Sequence, residues 1–214
     1  MNRIHSLALA LTMLAGISAA QAQPYDVYFS GNLGLAMPAN SETTFTDEPG
    51  LVMDFGLDDS VLFSGSVGLI SGMYRSEIEL SHQSHDFDSI SASGITIAPE
   101  DIGLSGETSS LSALLNAYFD FSATETVKPY LTAGAGIANV DFQGTLDIED
   151  ETDTFDESDT SFAYKLGGGL GFDLTDNFTI DLGYRFYSAH SLKYETMRTE
   201  VKSHNLTAGF RFRF

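Results

Sequence analysis

The chain has 214 residues but no cysteine, no tryptophan, only five prolines, and ten Lys and Arg against 30 Asp and Glu. Without cysteine there is no disulfide framework and no thiolate metal site. A formal net charge of −20 excludes recognition of nucleic-acid phosphates, which needs clustered Lys and Arg. Past the N-terminal segment no stretch is continuously apolar for the ~18 residues that a membrane-spanning helix requires. Any crossing of a bilayer therefore has to use strands, and only a closed barrel satisfies every backbone group there without water. What the chain does hold is 20 Gly, 16 Phe and 9 Tyr within a hydrophobic content of 43%. That is too apolar for a disordered acidic protein and suits a β-rich one.

The first residues read as a processing segment. Arg3 and His5 precede an apolar run from Leu7 to Ile17, and Ala20-Gln21-Ala22 forms a small-x-small cleavage site. Residues 1–22 are read as a secretory signal peptide and 23–214 as one mature domain. The run is too short for a membrane anchor.

Alternation of period two then recurs eight times. Val27, Phe29, Leu33 and Leu35 oppose Tyr28, Ser30, Asn32 and Gly34. Val61, Phe63, Val67 and Leu69 oppose Ser64, Ser66 and Gly68. Tyr74, Ile78 and Leu80 oppose Arg75, Glu77 and Glu79. Leu111, Leu115 and Phe119 oppose Ser110, Ser112, Asn116, Tyr118 and Asp120. Leu131 and Ile137 oppose Tyr130, Thr132 and Gly134. Phe162, Tyr164, Leu166 and Leu170 oppose Ala163, Lys165, Gly167, Gly169 and Asp173. Ile180, Leu182 and Tyr184 oppose Asp181, Gly183 and Arg185. Leu206, Phe210, Phe212 and Phe214 oppose Asn205, Thr207, Arg211 and Arg213.

The connections alternate as well. Those at Ser71–Met73, Ser122–Thr126 and Thr175–Asn177 are short; Pro38–Asp59, Asp88–Thr108, Asp141–Thr160 and Ser188–Glu200 are long and polar. Compact soluble domains rarely carry several such loops. Aromatic residues fall at strand ends: Tyr25, Tyr74, Phe119, Phe121, Tyr130, Phe172, Phe178 and Phe212 near the short turns, Phe87, Phe162, Tyr164, Phe186 and Tyr187 near the long loops. Two such girdles mark two membrane interfaces. The expected architecture is all-β: an eight-stranded antiparallel up-and-down transmembrane β-barrel with short periplasmic turns and long extracellular loops.

Four stretches carry a family resemblance: Leu182-Gly183-Tyr184-Arg185-Phe186, Lys128-Pro129-Tyr130 leading into Gly134-Ala135-Gly136, Phe162-Ala163-Tyr164 before Gly167-Gly168-Gly169, and the ending Arg211-Phe212-Arg213-Phe214. On these the chain resembles the outer-membrane β-barrel domain family of Gram-negative bacteria, which includes OmpA-like and Opa-like small barrels and proteins loosely called porin-family. The resemblance implies an outer-membrane address and assembly by the barrel assembly machinery, with Phe210, Phe212 and Phe214 resembling its recognition signal. It does not settle a molecular function, because one fold supports many tasks.

Three constellations are candidate sites. The inward faces predict a lumen network of Arg75, Glu77, Glu79, Asp120, Lys165, Asp173, Asp181, Arg185, Arg211 and Arg213. In a lumen only wide enough for side chains this reads as a polar plug rather than a gated pore or proton path, and Arg211 or Arg213 is expected to pair with Glu77 or Glu79. The third long loop holds Asp147, Glu149, Asp150, Glu151, Asp153, Asp156, Glu157 and Asp159. These are oxygen ligands of the kind Ca²⁺ takes, but no glycine stands where an EF-hand needs one, so a solvated, self-repelling loop is the reading. His82, His85, His190 and His204 sit near serines. Residues adjacent on a strand point to opposite faces, which argues against a hydrolytic Ser–His pair. No cofactor is expected. The partners expected are outer-membrane lipid, the assembly machinery and an extracellular partner of the loops. The function expected is structural or surface interaction; a lipid-modifying hydrolase of the lipid A deacylase kind and a narrow, low-conductance pore are the alternatives.

Overall fold

The computed structural model describes residues 25–39, 41–45, 52–92, 95–97, 101, 104–121, 124, 126–148, 151–194 and 197–214, with the backbone alone described at 41–45, 52–57, 87, 90–92, 95–97, 104, 146–148, 151–153, 155, 157, 190–194 and 197–200. The signal peptide read over 1–22 lies outside these residues.

Among the described residues eleven strands follow one another: β1 Asp26–Pro38, β2 Ser41–Phe45, β3 Val52–Leu57, β4 Ser60–Ser71, β5 Tyr74–Ala92, β6 Ile95–Ile97, β7 Leu104–Asp120, β8 Val127–Ile148, β9 Glu151–Asp173, β10 Phe178–Tyr194 and β11 Met197–Arg213. Eight of them form the wall, each antiparallel to the next, in the order β1-β4-β5-β7-β8-β9-β10-β11. The ring closes where β1 meets β11 from Tyr28↔Arg213 to Pro38↔Ser203. Closure leaves no unpaired sheet edge at the seam, which a strand crossing hydrocarbon could not tolerate.

The periodicity dictates which face goes where. Along β5, Arg75, Glu77, Glu79, Gln83 and His85 are buried while Ile78 and Leu80 are exposed. The same holds around the ring: Leu33, Val67, Leu111, Leu115, Leu131, Leu166, Leu182 and Leu206 all face outward and exposed. An apolar belt of this extent is untenable in water and is the surface a bilayer solvates. The girdle at the short-turn end is continuous near the seam, where Phe29 lies 5.8, 5.7 and 5.8 Å from the ring centroids of Phe210, Phe212 and Phe214.

The short turns are tight for local reasons. Gly72 has φ of 61°, a left-handed conformation that glycine adopts without a Cβ penalty. At the third turn, the Thr175 hydroxyl accepts from the backbone N–H of Asn177 and Phe178 at 3.3 and 3.1 Å.

The long connections differ from expectation. They are largely paired strand rather than loop: β8 and β9 remain paired up to Ile148↔Glu151, and β10 and β11 up to Tyr194↔Met197. At ~3.3 Å per residue, the 22 residues of β8 extend about 70 Å, while a bilayer occupies about 9–11 residues of a tilted strand. The first connection resumes the wall itself, as β2 pairs with β11, β3 with β2, and β3 with β5. Part of this was written in the sequence, since Val140, Phe142, Leu146 and Ile148 of β8 alternate with Asp141, Gln143, Thr145 and Asp147, but the partner stretch of β9 from Glu151 to Asp159 is polar at every position except Phe155 and shows no alternation to read.

Candidate functional site

The lumen is built from alternate residues of every wall strand, and its contents form layers. At the periplasmic rim, Lys128 Nζ lies 2.5 Å from Asp173 and Arg213 lies 3.6 Å from Asp26. Arg213 also donates to the Asp176 carbonyl and is more than a third exposed. Asp173 and Arg213 thus stand at the mouth of the lumen. Deeper, Arg75 forms a bidentate pair with Asp120 at 2.7 and 2.8 Å. Its guanidinium sits over the rings of Tyr118 and Tyr130, 4.2 and 5.1 Å from their centroids. Arg211 lies 3.6 Å from Asp181.

The middle layer centres on two carboxylates. Glu77 accepts from the hydroxyls of Tyr28, Tyr118 and Ser66 at 2.7, 2.6 and 2.9 Å and from the Asn116 amide at 2.9 Å. Glu79 accepts from Lys165 at 2.5 Å, Arg185 at 3.2 Å and Asn116 at 3.4 Å. A carboxylate withdrawn from water stays ionised only when its lone pairs are taken up in this way. The expected pairing of Arg211 or Arg213 with Glu77 or Glu79 is therefore replaced. Glu77 is taken by neutral donors, Glu79 by the cations of β9 and β10, and the two C-terminal arginines bind carboxylates nearer the periplasm.

Glycine makes room for the tyrosines. A Cβ on Gly68 would come 2.6 Å from the Tyr28 ring, and one on Gly169 2.6 Å from the Tyr130 hydroxyl. Two aromatics assigned to the girdles, Tyr130 and Tyr187, are instead buried in the lumen at 3% and 4% exposure. Both occupy inward positions, and strand parity overrides their nearness to a strand end.

Above the charges lies an apolar collar of Leu114, Ala138, Val140, Ala163, Tyr187, Ala189 and Val201. Residue-type reading passed over it, although Leu114 and Val140 share parity with Asn116 and Tyr130. Higher still, Ser110 meets the Tyr187 hydroxyl at 3.2 Å and His85 Nδ1 meets the Asp58 carbonyl at 2.9 Å.

The other candidates are less organised. His82 is exposed on the outer wall, Ser81 pairs with Ser112 at 2.7 Å, and Ser84 bonds Glu107. His204 meets the Tyr184 hydroxyl at 2.6 Å. Among the described residues, no histidine is hydrogen-bonded to a serine hydroxyl or a carboxylate. The His190 side chain lies outside the description, as do Glu149, Asp150 and the side chains of Asp147, Glu151, Asp153 and Glu157. Of the acidic loop, Asp156 is exposed and Asp159 half-buried.

Residues 6–214 match the model of the outer membrane protein beta-barrel domain. The chain is 29% identical over 93 residues to the outer membrane protein PagN of Salmonella typhimurium, across 42% of this chain and 39% of that one. It is 29% identical over 126 residues to opacity protein opA67 of Neisseria gonorrhoeae, across 47% and 52%. The chain thus matches about half or less of the length of these curated relatives. It superposes on the crystal structure of Neisserial surface protein A with a TM-score of 0.51 at 19% identity, covering 90% of this chain and 100% of that one, a likeness of fold. A closed eight-stranded wall, apolar outside and polar within, underlies a family match across nearly the whole sequence: the chain belongs to the outer membrane protein beta-barrel domain family and resides in the outer membrane of a Gram-negative cell.

Proposed function

We propose that this barrel is a sealed anchor that holds paired strand extensions outside the cell as an interaction surface. The observation that carries this reading is the filled, charge-balanced lumen. Arg75, Lys165, Arg185 and Arg211 face Glu77, Glu79, Asp120 and Asp181, and the apolar collar lies over them. A conducting pore carries an excess of one sign to select ions and leaves room for water; four cations against four carboxylates, closed by aliphatic side chains, do neither. In planar bilayers the purified protein is expected to show no single-channel steps. Regular steps from the wild-type barrel would overturn the sealed reading in favour of the pore.

The surface role rests on length and charge. The described extensions expose Asp58, Asp59, Asp86, Asp88, Glu107 and Asp156, while the lumen and rim absorb six of the ten basic residues, Arg75, Lys128, Lys165, Arg185, Arg211 and Arg213. So acidic a face disfavours polyanionic partners and favours basic ones. A protease-cleavage tag inserted at Asp153, near the tip of the β8–β9 hairpin, is expected to be cut on intact cells. The same tag at Asp176 is expected to be protected. The reverse pattern would invert the topology and remove the surface role.

A further inference from the structure

Above the bilayer the wall comes apart between β9 and β10. Their ladder ends at His190↔Phe162, where β10 shifts register between Ala189 and Leu192 and folds back onto β11. β9 continues to Glu151, paired with β8 throughout. Among the described residues, nothing pairs with its other edge from Glu151 to Ser158. At ~3.3 Å per residue this open edge is about 26 Å long.

Strand parity says which backbone groups the edge offers. At the periplasmic end Asp173 donates its N–H to the Thr126 carbonyl, beside β8, and Leu174 donates to the Phe178 carbonyl, beside β10, both at 2.9 Å. β8 and β9 keep one register from Val127↔Phe172 to Ile148↔Glu151. In an antiparallel ladder the N–H and C=O of a residue point to the same side, and the side alternates along the strand. Odd-numbered residues of β9 therefore bond β8, while Thr152, Thr154, Asp156 and Ser158 turn N–H and C=O to the open edge. At Thr160, just past the end of the β10 ladder, the N–H is met by the Asp159 carboxylate at 2.8 Å. Thr154, Asp156 and Ser158 are exposed.

Such an edge is a template for another strand, and proteins usually blunt it with Pro, Lys or a bulge. Between Glu151 and Ser158 there is no Pro, no Lys and no shift of register. What the stretch carries is Glu151, Asp153, Asp156 and Glu157. Like charges directly opposite one another destabilise a strand pair, and opposite charges favour it. A second copy of this edge is therefore repelled, and a strand with Lys or Arg at alternate positions is attracted.

We propose that the open edge of β9 takes up an extended basic segment of a partner protein as an added strand, held by main-chain hydrogen bonds and selected by charge. This rests on the surface role proposed above and supplies its mode of recognition.

The test uses the full mature chain in detergent micelles, with heat-modifiable mobility to verify folding. The probe is a short peptide in which Lys alternates with Thr and Val. Its control is the same peptide N-methylated throughout, which keeps the charge but donates no backbone hydrogen bond. The unmethylated peptide is expected to slow amide hydrogen exchange at Thr154, Asp156 and Ser158, and to bind at least roughly tenfold more tightly than the control, about 1.4 kcal/mol. Thr154→Pro removes one edge donor without touching the β8 ladder and is expected to weaken binding on the order of tenfold, while Thr154→Val, which keeps the amide, binds like wild type. Ser158→Pro replaces Thr154→Pro if that variant fails to fold. Equal binding of the methylated peptide would overturn strand addition and leave an acidic surface that binds by charge alone. Binding of neither peptide, or a dimer of the barrel that Thr154→Pro abolishes, would overturn it as well. Protection of the Asp153 tag on intact cells is a separate failure, which removes the surface role and this proposal with it.

Discussion

Glu79→Gln is expected to destabilise the folded barrel by about 3–5 kcal/mol, the usual cost of stranding a buried charge. Glu79 is 2% exposed and holds both Lys165 and Arg185. Without it the two cations face each other in a space that excludes water, and Glu77 is already committed to four neutral donors. With a denaturant slope of about 2 kcal/mol/M, the urea midpoint in lipid vesicles should fall by roughly 2 M. Lys165→Met alone should cost less, because Arg185 still neutralises Glu79. Combining the two restores charge balance, so the double variant should be more stable than the sum of the singles predicts by about 0.5–3 kcal/mol. Strict additivity would mean that these groups are hydrated independently, and the sealed lumen would have to be abandoned.

Deleting Phe214 is expected to lower the amount of assembled protein in the outer membrane several-fold, with unassembled chain in the periplasm. Phe214 donates its backbone N–H to the Val27 carbonyl at 2.9 Å, and its ring packs 5.8 Å from Phe29 and 5.5 Å from Phe212. It is the last contact of the β1–β11 seam and 71% exposed on the lipid side, so its loss removes a closing hydrogen bond and part of the interfacial girdle. A stability loss of about 1–2 kcal/mol changes cellular abundance several-fold. Phe214→Tyr keeps the ring and the backbone bond and should restore assembly. If the truncated chain reaches the membrane at wild-type level, the C-terminal Phe is dispensable for both closure and recognition.

The physics of a barrel explains why so much of it was legible. Phe63, Leu80, Leu115, Leu166 and Leu206 occupy every second position because one face meets lipid and the other meets a polar interior. A one-residue slip would exchange those environments, so parity is written into the chain residue by residue. The same parity placed Arg75, Glu77, Glu79, Lys165 and Arg185 inward. It put Tyr28 inward too, and it could have placed Leu114 and Val140 there and kept Tyr130 out of the girdle, had their apolar character not outweighed their position.

Alternation, turn signals and length by themselves determined the class of fold, the number of wall strands and the inward face of each strand. Only the tertiary structure decided the partners. Lys165 finds Glu79 from 86 residues away and Arg185 from 106, distances along the chain that carry no local pattern. Which cation reaches which carboxylate depends on the stagger of eight strands and on the space that Gly68 and Gly169 leave for tyrosines. Parity is a property of one strand at a time; pairing across a lumen is a property of the closed ring, and closure comes from the registers of all the strands together.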